Sequence, residues 1–136
     1  MNPVAPLSTE LIYLAWSVVL LVIHIVIQGV LTVRETGASY NAGPRDEGRE
    51  ARGVHAGRAA RTLRNFLETY PAFIGLALAL AVTGKIGGIG ALGAALWFWG
   101  RAAYLPLYLS GVAYIRTAAW VVALIGLILM LIALLS

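Results

Sequence analysis

Arg58, Arg61, Asn65 and Glu68 follow one another at spacings of three, four and three. On a helix, residues three and four apart share a face, so these side chains form one polar stripe about two and a half turns long. Arg64 lies at its edge, four residues before Glu68, and Pro71 follows, where a missing backbone N–H predicts a kink. A second stripe, Trp97, Arg101, Tyr104 and Tyr108, runs at spacings of four, three and four, with Pro106 close by. Guanidiniums pair bidentately with carboxylates, a carboxylate takes an ammonium, and an amide reads a peptide group. Together the stripes suit a small ligand carrying both carboxylates and an amine.

The elements that must position these groups are apolar. The chain has 136 residues, of which 60% are hydrophobic and 12% charged, with a mean hydropathy of +0.85. A soluble domain of this size needs more polar surface, so the composition predicts an integral membrane protein. A bilayer core of about 30 Å takes roughly 20 apolar residues per helix. Four stretches meet this, giving an all-α single domain over 1–136 with spans of about 10–33, 58–83, 86–110 and 115–135. The first is too long for a signal-peptide core and is read as a retained span. The polar segment 34–57, rich in glycine and alternating charge, is the one sizeable linker and is read as a solvated loop. No internal repeat suggests a duplicated transporter.

Several chemistries are excluded. With no cysteine there is no disulfide, no thiolate metal site and no protein thiol nucleophile, so any thiol must arrive with a ligand. His24 and His55 are far apart and no metal-ligand spacing is present, so no metal is expected. The net charge of +4 is not a nucleic-acid signature, because the arginines follow topology. Arg34, Arg45, Arg49, Arg52 and Arg58 lie in or beside the first loop and Arg116 follows the third, whereas the second loop holds only Lys85. The positive-inside rule then places loops one and three in the cytoplasm and both termini outside, with the two stripes on the cytoplasmic side.

Each group also has a plainer reading. A lone arginine at a helix end snorkels to the headgroups, as Arg34, Arg58 or Arg64 could. Glu68 could pair with Arg61 or Arg64 in a structural knot. Tyr104 and Tyr108 could be interfacial belt residues. His24 and Gln28, four apart, predict an interhelical hydrogen bond, and Gly84 and Gly88 have the small-xxx-small spacing of close helix packing. Taken together the stripes favour ligand binding, and a short acidic peptide such as glutathione has the required groups, as do other zwitterionic metabolites.

The pattern Arg58-x-x-Arg61-x-x-x-Asn65-x-x-Glu68-x-x-Pro71 resembles the hallmark of the MAPEG family, the membrane-associated proteins of eicosanoid and glutathione metabolism. Arg101-x-x-Tyr104-x-x-x-Tyr108, followed by Arg116-Thr117, is similar to that family's third span and following loop, and Gly43-Pro-Arg-Asp46 to the loop of bacterial members. The resemblance covers nearly the whole chain. It implies a four-helix transmembrane bundle assembling as a homotrimer in the bacterial inner membrane, with glutathione as co-substrate held between subunits. It also implies that Arg58, Arg61, Asn65 and Glu68 bind the peptide from one subunit, that Arg101, Tyr104 and Tyr108 contribute from the neighbour, and that Arg116 stabilises the thiolate. Arg34 is a second candidate for that last role. The expected partners are the lipid membrane and a lipophilic small molecule arriving from the bilayer.

The departures narrow the activity. Leu63 and Tyr104 stand where the prostaglandin synthase type carries histidines, which argues against that activity, and Thr69 replaces a tyrosine of the leukotriene synthase type. Aligning Arg116 requires a length change after Tyr108. The expected function is a glutathione transferase or peroxidase acting on a lipophilic electrophile or hydroperoxide. The alternatives are a non-catalytic membrane lipid- or ligand-binding protein of the same fold and a small proton-coupled exporter using Glu68. The exporter is disfavoured here because arginines on the stripe would keep Glu68 paired.

Overall fold

A computed structural model describes residues 4–136. The described residues form five helices and no strand: α1 (Thr9–Thr36), α2 (Ala38–Ala42), α3 (Val54–Thr83), α4 (Gly88–Leu109) and α5 (Tyr114–Leu135). The short turns between α3, α4 and α5 make these neighbours antiparallel, and the packing follows. α4 packs most extensively on α5, and α1 on α3; α3 and α4 form the middle of the bundle, and α1 makes no substantial contact with α5. One end of the bundle therefore gathers the start of α1, the α3–α4 turn and the end of α5. The other gathers the end of α1, the polar loop, the start of α3 and the α4–α5 turn.

Local sequence signals set the helix boundaries. Ser8 caps α1 by accepting the Leu11 N–H at 3.3 Å. Gly37, with φ of 93°, ends it and gives its own N–H to Val33. α3 runs unbroken through Pro71 and stops at Gly84, whose φ of 71° places it in the left-handed region that glycine tolerates. The loop between α1 and α3 is folded rather than merely solvated, because α2 brings Tyr40 to its centre. The Tyr40 hydroxyl accepts the Arg49 N–H at 2.7 Å and donates to the Arg45 carbonyl at 3.1 Å. Glu35 accepts the Gly53 N–H at 2.8 Å, which ties the end of the loop to the end of α1.

The core is aromatic where α3 meets α4. Phe73 stacks on Trp97 at 3.8 Å between centroids, with Tyr70 and Phe66 also against Trp97. Leu80, Ala77, Ala94 and Met130 complete it, all fully buried. Outside this core, α1 and α5 present valine, isoleucine and leucine to the surroundings, including Val18, Val22, Ile25, Ile125 and Ile132. A surface of that kind suits the hydrocarbon of a bilayer.

Three helices, α1, α3 and α5, are long and apolar enough to cross a membrane, so the chain is a multi-pass membrane protein. The expected apolar fourth span differs. α4 has 22 residues, but its glycines, tryptophans, tyrosines and Arg101 dilute its hydropathy, and much of its polar surface is buried against α3 and α5.

Two further expectations are corrected. Gly84 and Gly88 do not pack helices together; both lie at the α3–α4 turn with positive φ and no neighbour where a Cβ would stand. Close approach falls instead to Gly93 and Gly126, where α4 and α5 cross backbone to backbone. His24 does not make an interhelical hydrogen bond. Both ring nitrogens are buried without a partner, the ring lies 4.8 Å from Phe66, and Gln28 donates to Thr32 of its own helix at 3.0 Å.

The crossing of α4 and α5 yields a direct test. A Cβ on Gly93 would stand 2.5 Å from the Gly126 carbonyl oxygen, whereas nothing lies within 4 Å of one on Gly29. Gly93→Ala is expected to destabilise the protein by about 1–3 kcal/mol through overpacking. Gly29→Ala is expected to be neutral or stabilising by up to about 1 kcal/mol, since it removes a mid-helix glycine. Unfolding of the two variants in detergent, followed by circular dichroism, checks the contrast.

Candidate functional site

The polar stripes of α3 and α4 meet within one chain, at the end of the bundle that also carries the polar loop and the start of α5. Antiparallel packing produces this juxtaposition, because it sets the first turns of α3 against the last turns of α4. Arg101, on α4, is the most deeply buried of the charged members and is only 1% exposed. Its Nη1 donates to Asn65 Oδ1 on α3 at 2.8 Å. Its guanidinium carbon lies 4.8 Å from the Tyr104 ring and 5.5 Å from the Phe66 ring, so π faces supply part of the stabilisation that water would otherwise give. Among the described residues its Nε and Nη2 have no partner.

Around this buried guanidinium lies a layer that ligands can reach. Asn65, Tyr104, Arg116, Thr117 and Trp120 line an open pocket of about 200 Å³. Arg116 enters it from the first turn of α5 and is held over the Tyr108 ring at 4.6 Å. Tyr108 also accepts the Arg61 Nε–H through its hydroxyl at 2.9 Å, so one phenol connects an arginine of α3 with an arginine of α5. Sequence spacing singled out Asn65 and Tyr104, and the family resemblance Arg116, but both passed over Trp120. The signal was present, since Arg116 and Trp120 are four apart and share a face of α5.

Not every stripe member faces the pocket. Arg58 turns to the end of α4, where its Nη1 donates to the Leu109 carbonyl at 3.1 Å. A cation there satisfies an orphan carbonyl and matches the negative end of the helix dipole. Arg64 and Glu68 are exposed on the outward face of α3. Glu68 does not form the ion pair with Arg61 or Arg64 that its plainer reading offered; among the described residues the one ion pair within 4.0 Å joins Arg49 to Glu47. Arg61 is instead engaged by Tyr108. Arg34 is exposed at the end of α1 and makes none of these contacts.

A carboxylate that spacing did not single out lies at the opposite end. Glu10 is fully buried, and its Oε1 accepts the Gly87 N–H at 2.7 Å, capping α4 from another helix. Its use by α4 depends on a contact across 77 positions.

A larger cavity, about 650 Å³, shares no residue with the arginine pocket. It is an apolar groove between α1 and α4, with Tyr13, Trp16, Phe98 and Trp99 among its walls. It has the character of a surface for hydrocarbon and carries no chemistry of its own.

The bridging role of Tyr108 can be measured. Tyr108→Phe deletes the hydroxyl that Arg61 uses while keeping the ring beneath Arg116. A double-mutant cycle of Tyr108→Phe with Arg61→Ala should give a coupling of about 0.5–1 kcal/mol in unfolding free energy. The same cycle with Arg116→Ala should give almost none, and Tyr108→Leu should restore a coupling to Arg116.

The family model for the MAPEG family matches residues 11–136, nearly the whole chain. No curated protein and no solved structure matches.

Proposed function

Since the chain belongs to the MAPEG family, which includes glutathione transferases and peroxidases, we propose that it is a membrane-bound glutathione-dependent transferase or peroxidase. Its co-substrate is a lipophilic electrophile or hydroperoxide from the bilayer. The observation that carries this reading is the pocket of Asn65, Tyr104 and Arg116, backed by Arg101 and rimmed by Arg61 and Tyr108. These groups suit the carboxylates and peptide groups of glutathione, and Glu68 suits its ammonium. Glutathione supplies the thiol that a chain without cysteine lacks.

The residues divide the work by position. Arg116, at the pocket, favours the negative charge of a thiolate, which raises the fraction of nucleophile at neutral pH. Tyr108 limits the orientations open to that guanidinium. Asn65 and Arg61 orient the peptide. Arg58 supports the site by fixing the end of α4 that presents Tyr104 and Tyr108.

The site is shared in a homotrimer of four-span bundles. A pocket of about 200 Å³ falls below the roughly 300–1,000 Å³ usual for small-molecule sites, which favours further walls from a second copy. Glu68 and Arg64, exposed on the outward face of a membrane helix, favour the same conclusion, because charged groups there are costly unless covered. The 22 residues of α4 reach about 33 Å at roughly 1.5 Å each, enough for a fourth span. The arginine-rich end is cytoplasmic by the positive-inside rule, with both termini outside, in the inner membrane of a bacterium.

One observation favours a second reading. Glu68 is exposed and free of an ion pair among the described residues, as the carboxylate of a proton-coupled exporter must be. The pairing argument against an exporter therefore falls, and substrate-driven proton movement in reconstituted vesicles decides the matter; none is expected.

For the leading reading, titration of glutathione into purified protein at pH 7 should raise thiolate absorbance near the ultraviolet edge. Binding without that signal would make the protein a carrier and not an enzyme. Arg61→Ala and Glu68→Ala should each weaken glutathione binding about tenfold. Arg116→Ala should slow conjugation of a model electrophile at least about tenfold with a smaller effect on binding. Equal loss of binding in all three would overturn these roles.

A further inference from the structure

We infer that Arg101 is a positioning residue that fixes the Asn65 amide as a donor, so that the pocket selects a carbonyl or carboxylate oxygen at that point. The inference starts from what a guanidinium can do. Arginine has five N–H donors and no acceptor, so the asparagine atom facing it must be the oxygen. Arg101 Nη1 meets Asn65 Oδ1 at 2.8 Å, and Arg101 is 1% exposed, with no solvent to offer an alternative. The amide nitrogen of Asn65 is thereby turned away from Arg101. It donates to no protein acceptor among the described residues, and it is not sealed in the core.

The remaining wall has the same sign. Arg116 and the Trp120 indole can only donate, the hydroxyls of Tyr104 and Thr117 can donate, and no carboxylate lines the pocket. An asparagine free to turn would read donors and acceptors alike. Held by Arg101, it discriminates, because a ligand donor placed there would meet another donor.

Arg101 itself makes the test selective. Its Nε and Nη2 are buried without partners, and it forms no ion pair within 4.0 Å among the described residues. An aspartate at position 65 would give this buried cation a counter-ion while removing both amide N–H donors that the side chain offers the pocket. Stability and ligand binding should then move in opposite directions, which a merely structural asparagine would not produce.

The choice of glutathione as probe rests on the function proposed above. Asn65→Asp and Arg101→Gln are purified in detergent, and thermal unfolding without ligand is measured beside glutathione titration. Asn65→Asp should unfold at the wild-type temperature or a few degrees above it, and bind glutathione at least about tenfold more weakly. Arg101→Gln, whose side chain can accept as well as donate, should also weaken binding, because the amide is then free to turn. Adding Arg101→Gln to Asn65→Asp should lower the unfolding temperature below that of Asn65→Asp, by stranding the new carboxylate. Wild-type affinity in Asn65→Asp, or loss of binding together with a lower unfolding temperature, would overturn the inference. If the wild-type protein does not bind glutathione, the glutathione reading is refuted. The orientation of Asn65 is then judged by unfolding, where destabilisation by Asn65→Asp counts against it.

Discussion

A guanidinium buried inside a membrane bundle must find its stabilisation within the protein, and Arg101 shows what that demands. It takes the oxygen of Asn65, the face of Tyr104 and the edge of an aromatic core through Phe66. Isolated charge in an apolar medium costs several kcal/mol, so these neighbours cannot vary independently. The arrangement fixes the register between α3 and α4. It also brings Asn65 and Tyr104 to one pocket, which Arg116 joins from α5. The arginine-rich end of the molecule is thus built around a charge placed where a bilayer would reject it.

That arrangement was partly legible in the sequence. Helical spacing alone put Arg61, Asn65 and Glu68 on one face and Arg101, Tyr104 and Tyr108 on another, because i, i+3 and i, i+4 relations survive whatever the tertiary structure does. The apolar lengths of α1, α3 and α5 were equally plain. The direction of each side chain within its stripe was not. Arg58 and Arg61 are three residues apart, yet one caps α4 and the other reaches Tyr108, a difference set by where α4 ends. Glu68 looked paired because arginines are near it in sequence, but none of them comes within 4.0 Å of it, and Arg61 is engaged by Tyr108.

The remaining errors share a physical origin. Small-xxx-small spacing pointed to Gly84 and Gly88, which serve a turn, while the close crossing uses Gly93 on α4 and Gly126 on α5. A pair formed by residues on two helices leaves no short-range pattern in either. His24 invited a hydrogen bond, yet its ring packs on Phe66 with both nitrogens unpartnered. Glu10 shows the converse, since a carboxylate one turn into α1 looks local and instead serves a backbone group of the α3–α4 turn.

Glu10 and Arg58 have a mechanical meaning when taken as a pair. One sets a carboxylate at the start of α4 and the other a guanidinium at its end, each from a different helix and each opposed to the dipole it meets. α4 is in effect a strut riveted at both ends by charges of opposite sign. It cannot slide along its axis without separating one of them from its partner. α5 is tied differently at its start, where it follows the short turn from Ser110 to Ala113 and no side chain caps it. Of the two pocket walls, Tyr104 thus stands on the helix pinned at both ends, and Arg116 on the one whose start no side chain holds.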